Sequence, residues 1–239
     1  MSENPLLPHS KLRELHALML RYRGLERKQK SGGSAREALL AATLIQLLPG
    51  DLLSATAGDV TTGQLAPAAK KPSVGSVVGG AALDVRLPLC AAAARGLQAA
   101  GAEGIVLAFA RAGDTELGWT GALEWAQAAQ LPLILACADA TGGAVSRSVK
   151  RREPAIDFVT MSRFAKRLKL PVLTVDGEDA VAVYRVMQES VLRTRMGGGP
   201  AVLWAVMTPT RSIAKMPASS QPIARLRSYL SARKIVLKP

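Results

Sequence analysis

Apolar residues recur at three- and four-residue steps between positions 10 and 29, with Leu12, Leu15, Met19 and Tyr22 on one stripe. That period predicts an amphipathic helix, and Arg21, Arg23 and Arg27 lie mostly off its apolar face. Ser31-Gly32-Gly33-Ser34 interrupts the pattern. Ser34 is placed to cap a second helix running through Leu48, which Pro49-Gly50-Asp51 ends. A low-complexity stretch from Thr61 to Pro72 reads as an exposed loop. Beyond it, short apolar runs alternate with helical periods. Strands are predicted at 104–110, 131–137, 172–175 and 201–206, with helices at 117–130, about 154–168 and 179–195. Gly197-Gly198-Gly199-Pro200 precedes a strand rather than a helix, so it is a helix stop and connector, not a phosphate-binding loop.

Apolar strands alternating with helices imply an α/β fold with a mainly parallel sheet covered on both faces. The organisation expected is an N-terminal helical arm over 1–30, an α/β domain over 31–209 and a C-terminal tail with one helix over 210–239. No internal repeat is visible.

The chain has 239 residues, 49% of them hydrophobic, enough for one sizeable core. Alanine is abundant and aromatics are few, so that core is expected to be built from small side chains on close-packed helices. No apolar run reaches membrane-spanning length, and Met1-Ser2-Glu3-Asn4-Pro5 carries no leader signal, so the expected location is the cytoplasm, with no membrane partner. Cys90 and Cys137 sit in apolar surroundings without metal-type spacing and read as buried reduced thiols. Thirty-one Lys and Arg against eighteen Asp and Glu give a formal charge of +13. The basic residues are dispersed and no aromatics are interleaved with them for base stacking, which argues for solvated helix faces over a nucleic-acid partner.

Leu131–Cys137, Val175–Asp179, Gly199–Ala201, Pro222–Leu226, and Glu37-Ala38 with Pro49–Asp51, in one order along nearly the whole chain, together resemble the α subunit of the thiamine-diphosphate-dependent 2-oxo acid dehydrogenases (pyruvate, branched-chain 2-oxo acid and acetoin types). Leu131-Pro132-Leu133-Ile134-Leu135-Ala136-Cys137 is similar to that family's Leu-Pro-Val-Ile-Phe-Val-Cys strand. Val175-Asp176-Gly177-Glu178-Asp179 resembles its Val-Asp-Gly-Asn-Asp segment, and Gly199-Pro200-Ala201 its Gly-Pro-Thr entry to the last strand. Pro222-Ile223-Ala224-Arg225-Leu226 is similar to its Pro-Ile-Xaa-Arg-Leu helix, and Glu37-Ala38 with Pro49-Gly50-Asp51 to its N-terminal part. The resemblance implies a thiamine-diphosphate-binding fold and, in the family, thiamine diphosphate with Mg²⁺.

The family's cofactor motif opens Gly-Asp-Gly at one strand end and closes Asn-Asn about thirty residues later, so that a carboxylate and an amide on neighbouring parallel strands hold the metal. At these positions this chain has Ala110-Arg111-Ala112 and Asp139-Ala140. An arginine cannot ligate Mg²⁺, and an alanine has nothing to ligate with. The Thr-Tyr-Arg-Asp-His segment that reaches the diphosphate corresponds to Thr56-Ala57-Gly58-Asp59-Val60, without the Tyr, Arg and His. Gly75 to Gly80, with Val78 and Gly79, is similar to a Gly-Xaa-Val-Gly cofactor segment, though its glycines also suit a plain turn. The family's mobile loop after the last strand is shortened away after Met207-Thr208-Pro209, and no histidine follows His16. Thr56, Asp59, Val78, Gly79, Ala110, Arg111, Ala112, Asp139 and Ala140 are therefore read as relic positions. If the first strand ran on, Asp114 and Asp139 could hold a metal; a helix-capping turn is the plainer reading of Asp114. Glu37 reads as structural, and Cys137 has no histidine base.

The expectation is a chain with the family's fold that binds no cofactor. It would be non-catalytic and act through association, as a homodimer or with a β-type subunit. The alternatives are a working α subunit with a rebuilt site completed by a β chain, and a binder of an anionic small molecule at Arg111. Arg111 is expected to be ion-paired, with Asp139 the first choice of partner.

Overall fold

The computed structural model describes residues 7–28, 36–55, 70, 71, 73–77, 82–113, 119–141, 156–209 and 217–237. In chain order these form α1 (His9–Lys28), α2 (Glu37–Leu44), β1 (Leu52–Ser54), β2 (Gly75–Ser76), α3 (Leu83–Ala99) and β3 (Val106–Arg111). There follow α4 (Trp119–Ala128), β4 (Leu133–Asp139), α5 (Phe158–Leu168), β5 (Val172–Asp176), α6 (Ala180–Arg195), β6 (Ala201–Val206) and α7 (Pro222–Ala232). The six strands make one sheet in the order β2-β1-β3-β4-β6-β5, and every pairing is parallel. The predicted α/β class with a parallel sheet is the one observed.

The pleat divides the core in two. Leu107 and Phe109 of β3, Ile134 and Ala136 of β4, and Leu203 and Ala205 of β6 join the cluster built with α1, α2, α6 and α7. Val106 and Ala108, Leu135 and Cys137, and Val202 and Trp204 point to the other face, under α3, α4 and α5. The central strands are thus apolar on both faces, which is why they read as unbroken hydrophobic runs.

Capping explains the helix ends. Asp157 Oδ1 accepts from the Thr160 N–H at 2.7 Å ahead of α5, and Asp179 Oδ1 accepts from the Val181 and Ala182 N–H groups at 3.0 Å ahead of α6. Gly197 and Gly199 take positive φ, and the Gly198 N–H returns to the Arg193 carbonyl at 2.9 Å. The glycine run is thus the expected helix stop and not a ligand loop.

Three local readings are corrected. The second helix covers Glu37–Leu44 and not the span through Leu48, because Asp51 turns the chain back by accepting from the Leu48 N–H at 2.7 Å. Ser34, its expected cap, lies outside the described residues. Strands β1 and β2 were not foreseen, since three and two residues are too few to show a period. Helix α3 (Leu83–Ala99), with Pro88 inside it, is not among the predicted helices. Helix α1 lies over α2 and α7, with Leu12, Leu15, Leu18, Met19 and Tyr22 at most 2% exposed. Burying one such side chain stabilises by roughly 1.5–3 kcal/mol, so five of them tie α1 firmly to that layer.

Candidate functional site

Because all six strands run the same way, Ser54, Arg111, Asp139, Val206 and Asp176 end β1, β3, β4, β6 and β5 on one edge of the sheet. From β1 the chain goes outward to β2 and then returns to the other side of β1 as β3. This reversal is a topological switch point, the place where open α/β sheets bind ligands beyond the carboxyl ends of their strands. The sequence-predicted positions Ala110, Arg111, Ala112, Asp139 and Ala140 are all brought to this edge. Thr56, Asp59, Val78, Gly79 and Asp114 lie outside the described residues.

Register decides what these residues can do together. Arg111 is the ladder partner of Ala138, and Ala110 that of Cys137. Successive side chains on a strand point to opposite faces. Arg111 therefore follows Leu107 and Phe109 toward the α1–α2–α6–α7 side, where Ala138 and Ala140 also pack. Asp139 follows Leu135 and Cys137 to the other face. The expected ion pair between Arg111 and Asp139 is accordingly not formed: the two residues are neighbours along the edge but stand on opposite sides of the sheet. The buried Asp139 carboxylate uses neutral donors instead. Its Oδ1 accepts from the Thr141 N–H at 2.9 Å and the Thr141 hydroxyl at 2.5 Å, and its Oδ2 from the Trp204 indole N–H at 3.1 Å.

Strand β3 ends at Arg111. Ala112 still donates to the Ala138 carbonyl at 2.9 Å, and Gly113, at positive φ, donates to the Ile156 carbonyl at 2.8 Å. At the two positions that the sequence resemblance matches to metal ligands, Arg111 and Ala140, the edge thus offers a guanidinium and a methyl group on one face of the pleat. Mg²⁺ demands oxygen ligands in near-octahedral array. This donor set does not fit it. Among the described residues no group of three His, Cys, Asp or Glu side chains is arranged to hold a metal ion.

The sequence reading missed Arg86. This guanidinium on α3 is 1% exposed and donates to the Ser54 hydroxyl at 3.0 Å and the Phe109 carbonyl at 2.7 Å, tying β1 to β3 beside the switch point. It stands two residues after Asp84 in the first turn of the helix, and beside that partly exposed charge it is easily taken for another solvated position. One turn on, burial pushes the Cys90 thiol up, against the opposing pull of Ser54 and Arg86. Both cysteines are free and buried, as the sequence implied.

Other singled-out residues have structural partners. Glu37 pairs with Arg23 and fastens α1 to α2. In the Val175–Asp179 segment, Asp176 accepts from the Glu178 N–H at 3.0 Å and pairs with Arg225 at 2.8 Å. Glu178 accepts from the Thr208 N–H at 2.8 Å, closing the exit of β6. His16 lies between α1 and α7, where its Nε2 accepts from Arg227 Nε at 3.1 Å. Burial, and then the Arg227 charge, hold its imidazole below its ordinary value.

Residues 79–238 match the family model of the dehydrogenase E1 component. Among solved structures, the chain is similar to a protein from Mycobacterium smegmatis described as a thiamin diphosphate-dependent enzyme. That match has 14% identity and a TM-score of 0.47, covering 75% of this chain and 33% of that one. It is also similar to the benzoylformate decarboxylase of Polynucleobacter necessarius, with 13% identity and a TM-score of 0.47, covering 72% and 33%. The chain thus spans about a third of the length of either protein. No curated protein matches the sequence.

Proposed function

Since the chain belongs to the dehydrogenase E1 component family, we propose that it is an α-type E1 chain that works through association with other subunits and not by catalysis. The observation that carries this is the placement of its histidines. The sequence has two, His9 and His16, both on α1, and His16 is occupied by Arg227 between two helices. The general acid–base chemistry expected of the family leans on histidine, and this chain supplies none at the carboxyl edge.

The outer face of α3 supports the association. Val85 and Leu89 are 52% and 41% exposed, and Ala92, Gly96 and Ala99 continue the same stripe at steps of three and four. On the neighbouring α4, Gly121, Trp125 and Ala128 repeat the spacing, with Trp125 43% exposed. A Cβ built at Gly96 or Gly121 meets nothing, so both faces have room for a close approach. In a chain of charge +13, the described residues of α3 carry one exposed cation beside the stripe, Arg95, which donates to Gln98. The partner is a second copy or a β-type subunit, and the proposed location is the cytoplasm. No helix among the described residues is long and apolar enough to cross a membrane.

Multi-angle light scattering at micromolar concentration tests the reading. A dimer or larger is expected, burying more than roughly 1,500 Å² per pair. Leu89→Asp should shift it toward monomer with circular dichroism unchanged. A monomeric wild-type chain, alone and with a β-type subunit, overturns the proposal. Calorimetry with thiamine diphosphate and Mg²⁺ separates it from a working α subunit: no binding heat and no 2-oxo acid decarboxylation are expected.

A further inference from the structure

We infer that Arg111 and residue 140 form one coupled position, in which an internal guanidinium has taken the place of a divalent cation, and that these two residues alone bar the metal. This rests on the E1-type reading of the fold and not on the association proposed for it.

The inference comes from register. Arg111 pairs across the ladder with Ala138, and Ala140, one residue beyond the end of β4, packs on the same side as Ala138. Ala138 and Ala140 both pack on the α1–α2–α6–α7 side, the side that Phe109 shares with Arg111. Side chains two residues apart on a strand share a face, and an arginine side chain is long enough to reach past its ladder partner to the next residue on that face. Asp139 is one residue nearer in sequence but on the wrong face, and Trp204 and Thr141 take both its oxygens. A side chain at 140 is therefore on the face that Arg111 occupies, whereas one at 139 is not. The backbone that would present two ligands to one ion is intact, since β3 and β4 are paired from Val106–Leu133 to Arg111–Ala138. Only the end groups are wrong for a cation: one is positive and the other has no lone pair.

Two experiments test this on the full chain, each with a readout independent of activity. In the first, Mn²⁺ stands for the divalent ion and its binding is followed by electron paramagnetic resonance. The wild-type chain should bind none at micromolar concentration, while Arg111→Asp with Ala140→Asn should gain at least roughly tenfold in affinity over either single variant. Mn²⁺ binding by the wild type that Ala140→Asn leaves unchanged overturns the inference, and so does a folded double variant without gain. The second serves also if the double variant does not fold. Ala140→Asp is introduced with Arg111 present and in an Arg111→Gln background, and the melting midpoints are compared in a double-mutant cycle. The carboxylate should be worth several degrees more with the arginine present. No coupling, or coupling of the same size for a charge placed on the opposite face at Cys137, overturns the shared position. Both outcomes are independent of whether light scattering finds a dimer.

Discussion

Asp51 is fully buried at the amino edge of the sheet, and each of its oxygens is in use. Oδ1 accepts from the Ile105 N–H at 2.9 Å; Oδ2 accepts from the Leu48 N–H at 2.7 Å and pairs with Arg195. Arg195 in turn donates to the Glu103 carbonyl at 2.8 Å, so one carboxylate joins the α2 exit, the entry to β3 and the end of α6. Asp51→Asn keeps the shape but leaves the half-buried Arg195 guanidinium without its counter-charge. A loss of about 3 kcal/mol is expected in urea unfolding, and one below about 1 kcal/mol would remove Asp51 from this role. His16 contributes a different dependence. Its ordinary value is 6.5 and the folded chain holds it lower, so on acidification the unfolded chain takes up the proton first. The stability that a neutral His16 provides is present above pH 6.5 and declines as the pH falls from there toward the folded value. His16→Gln, which keeps an acceptor for Arg227, should flatten that limb of the stability curve; an unchanged limb would assign it to other groups.

At the scale of elements, the exit of β5 shows what a motif resemblance can hide. Gly177 stands in a segment that reads as a family signature, yet its local task is packing. A Cβ there would come within 3.0 Å of the Ala205 Cβ, 3.1 Å of the Met207 Cγ and 3.2 Å of the Val206 carbonyl oxygen. Gly177→Ala should therefore cost about 1–3 kcal/mol, read from thermal unfolding, through crowding alone, since its backbone is not in the left-handed region. Four strands were legible: β3, β4 and β6, whose apolar runs are buried on both faces, and the edge strand β5, whose short Val172–Val175 run is only partly buried but stands between two helical periods. Strands β1 and β2 were not, because their few residues become strands only through pairing with each other and with β3. The same limit applies to the site. Sequence spacing put Arg111 and Asp139 at one edge, but which face each occupies depends on register, and register belongs to two strands at once.

For the whole molecule, the proposed association ties stability to concentration. If the α3 and α4 stripes meet in a second copy, the melting midpoint should rise with protein concentration, and Leu89→Asp should abolish that dependence. A midpoint independent of concentration in the wild type would separate the chain's stability from any partner. The charge of +13 gives the ionic strength a part here, since salt relieves repulsion between like copies. The class of fold was legible because layers, strand spacing and helix periods agreed. The consequence of losing ligands was legible only by resemblance, because nothing in the period or composition of a strand end announces what it once held.

The order of the last strands bears on how the chain is made. Strand β5 is synthesised before β6, yet β6 is its ladder partner and lies between it and β4. A nascent chain that has not yet released residues 201–206 from the ribosome has α5, β5 and α6 in hand, with nowhere in the sheet to put them. Backbone groups of β5 stay unpaired until the final strand threads into the gap. Closing that gap joins Leu135 to Val202 and Leu173 to Val202's neighbour Leu203 in one event, across long chain separations that slow folding. The last third of the polypeptide is therefore an all-or-nothing addition, and a product that stops short of β6 loses β5 with it.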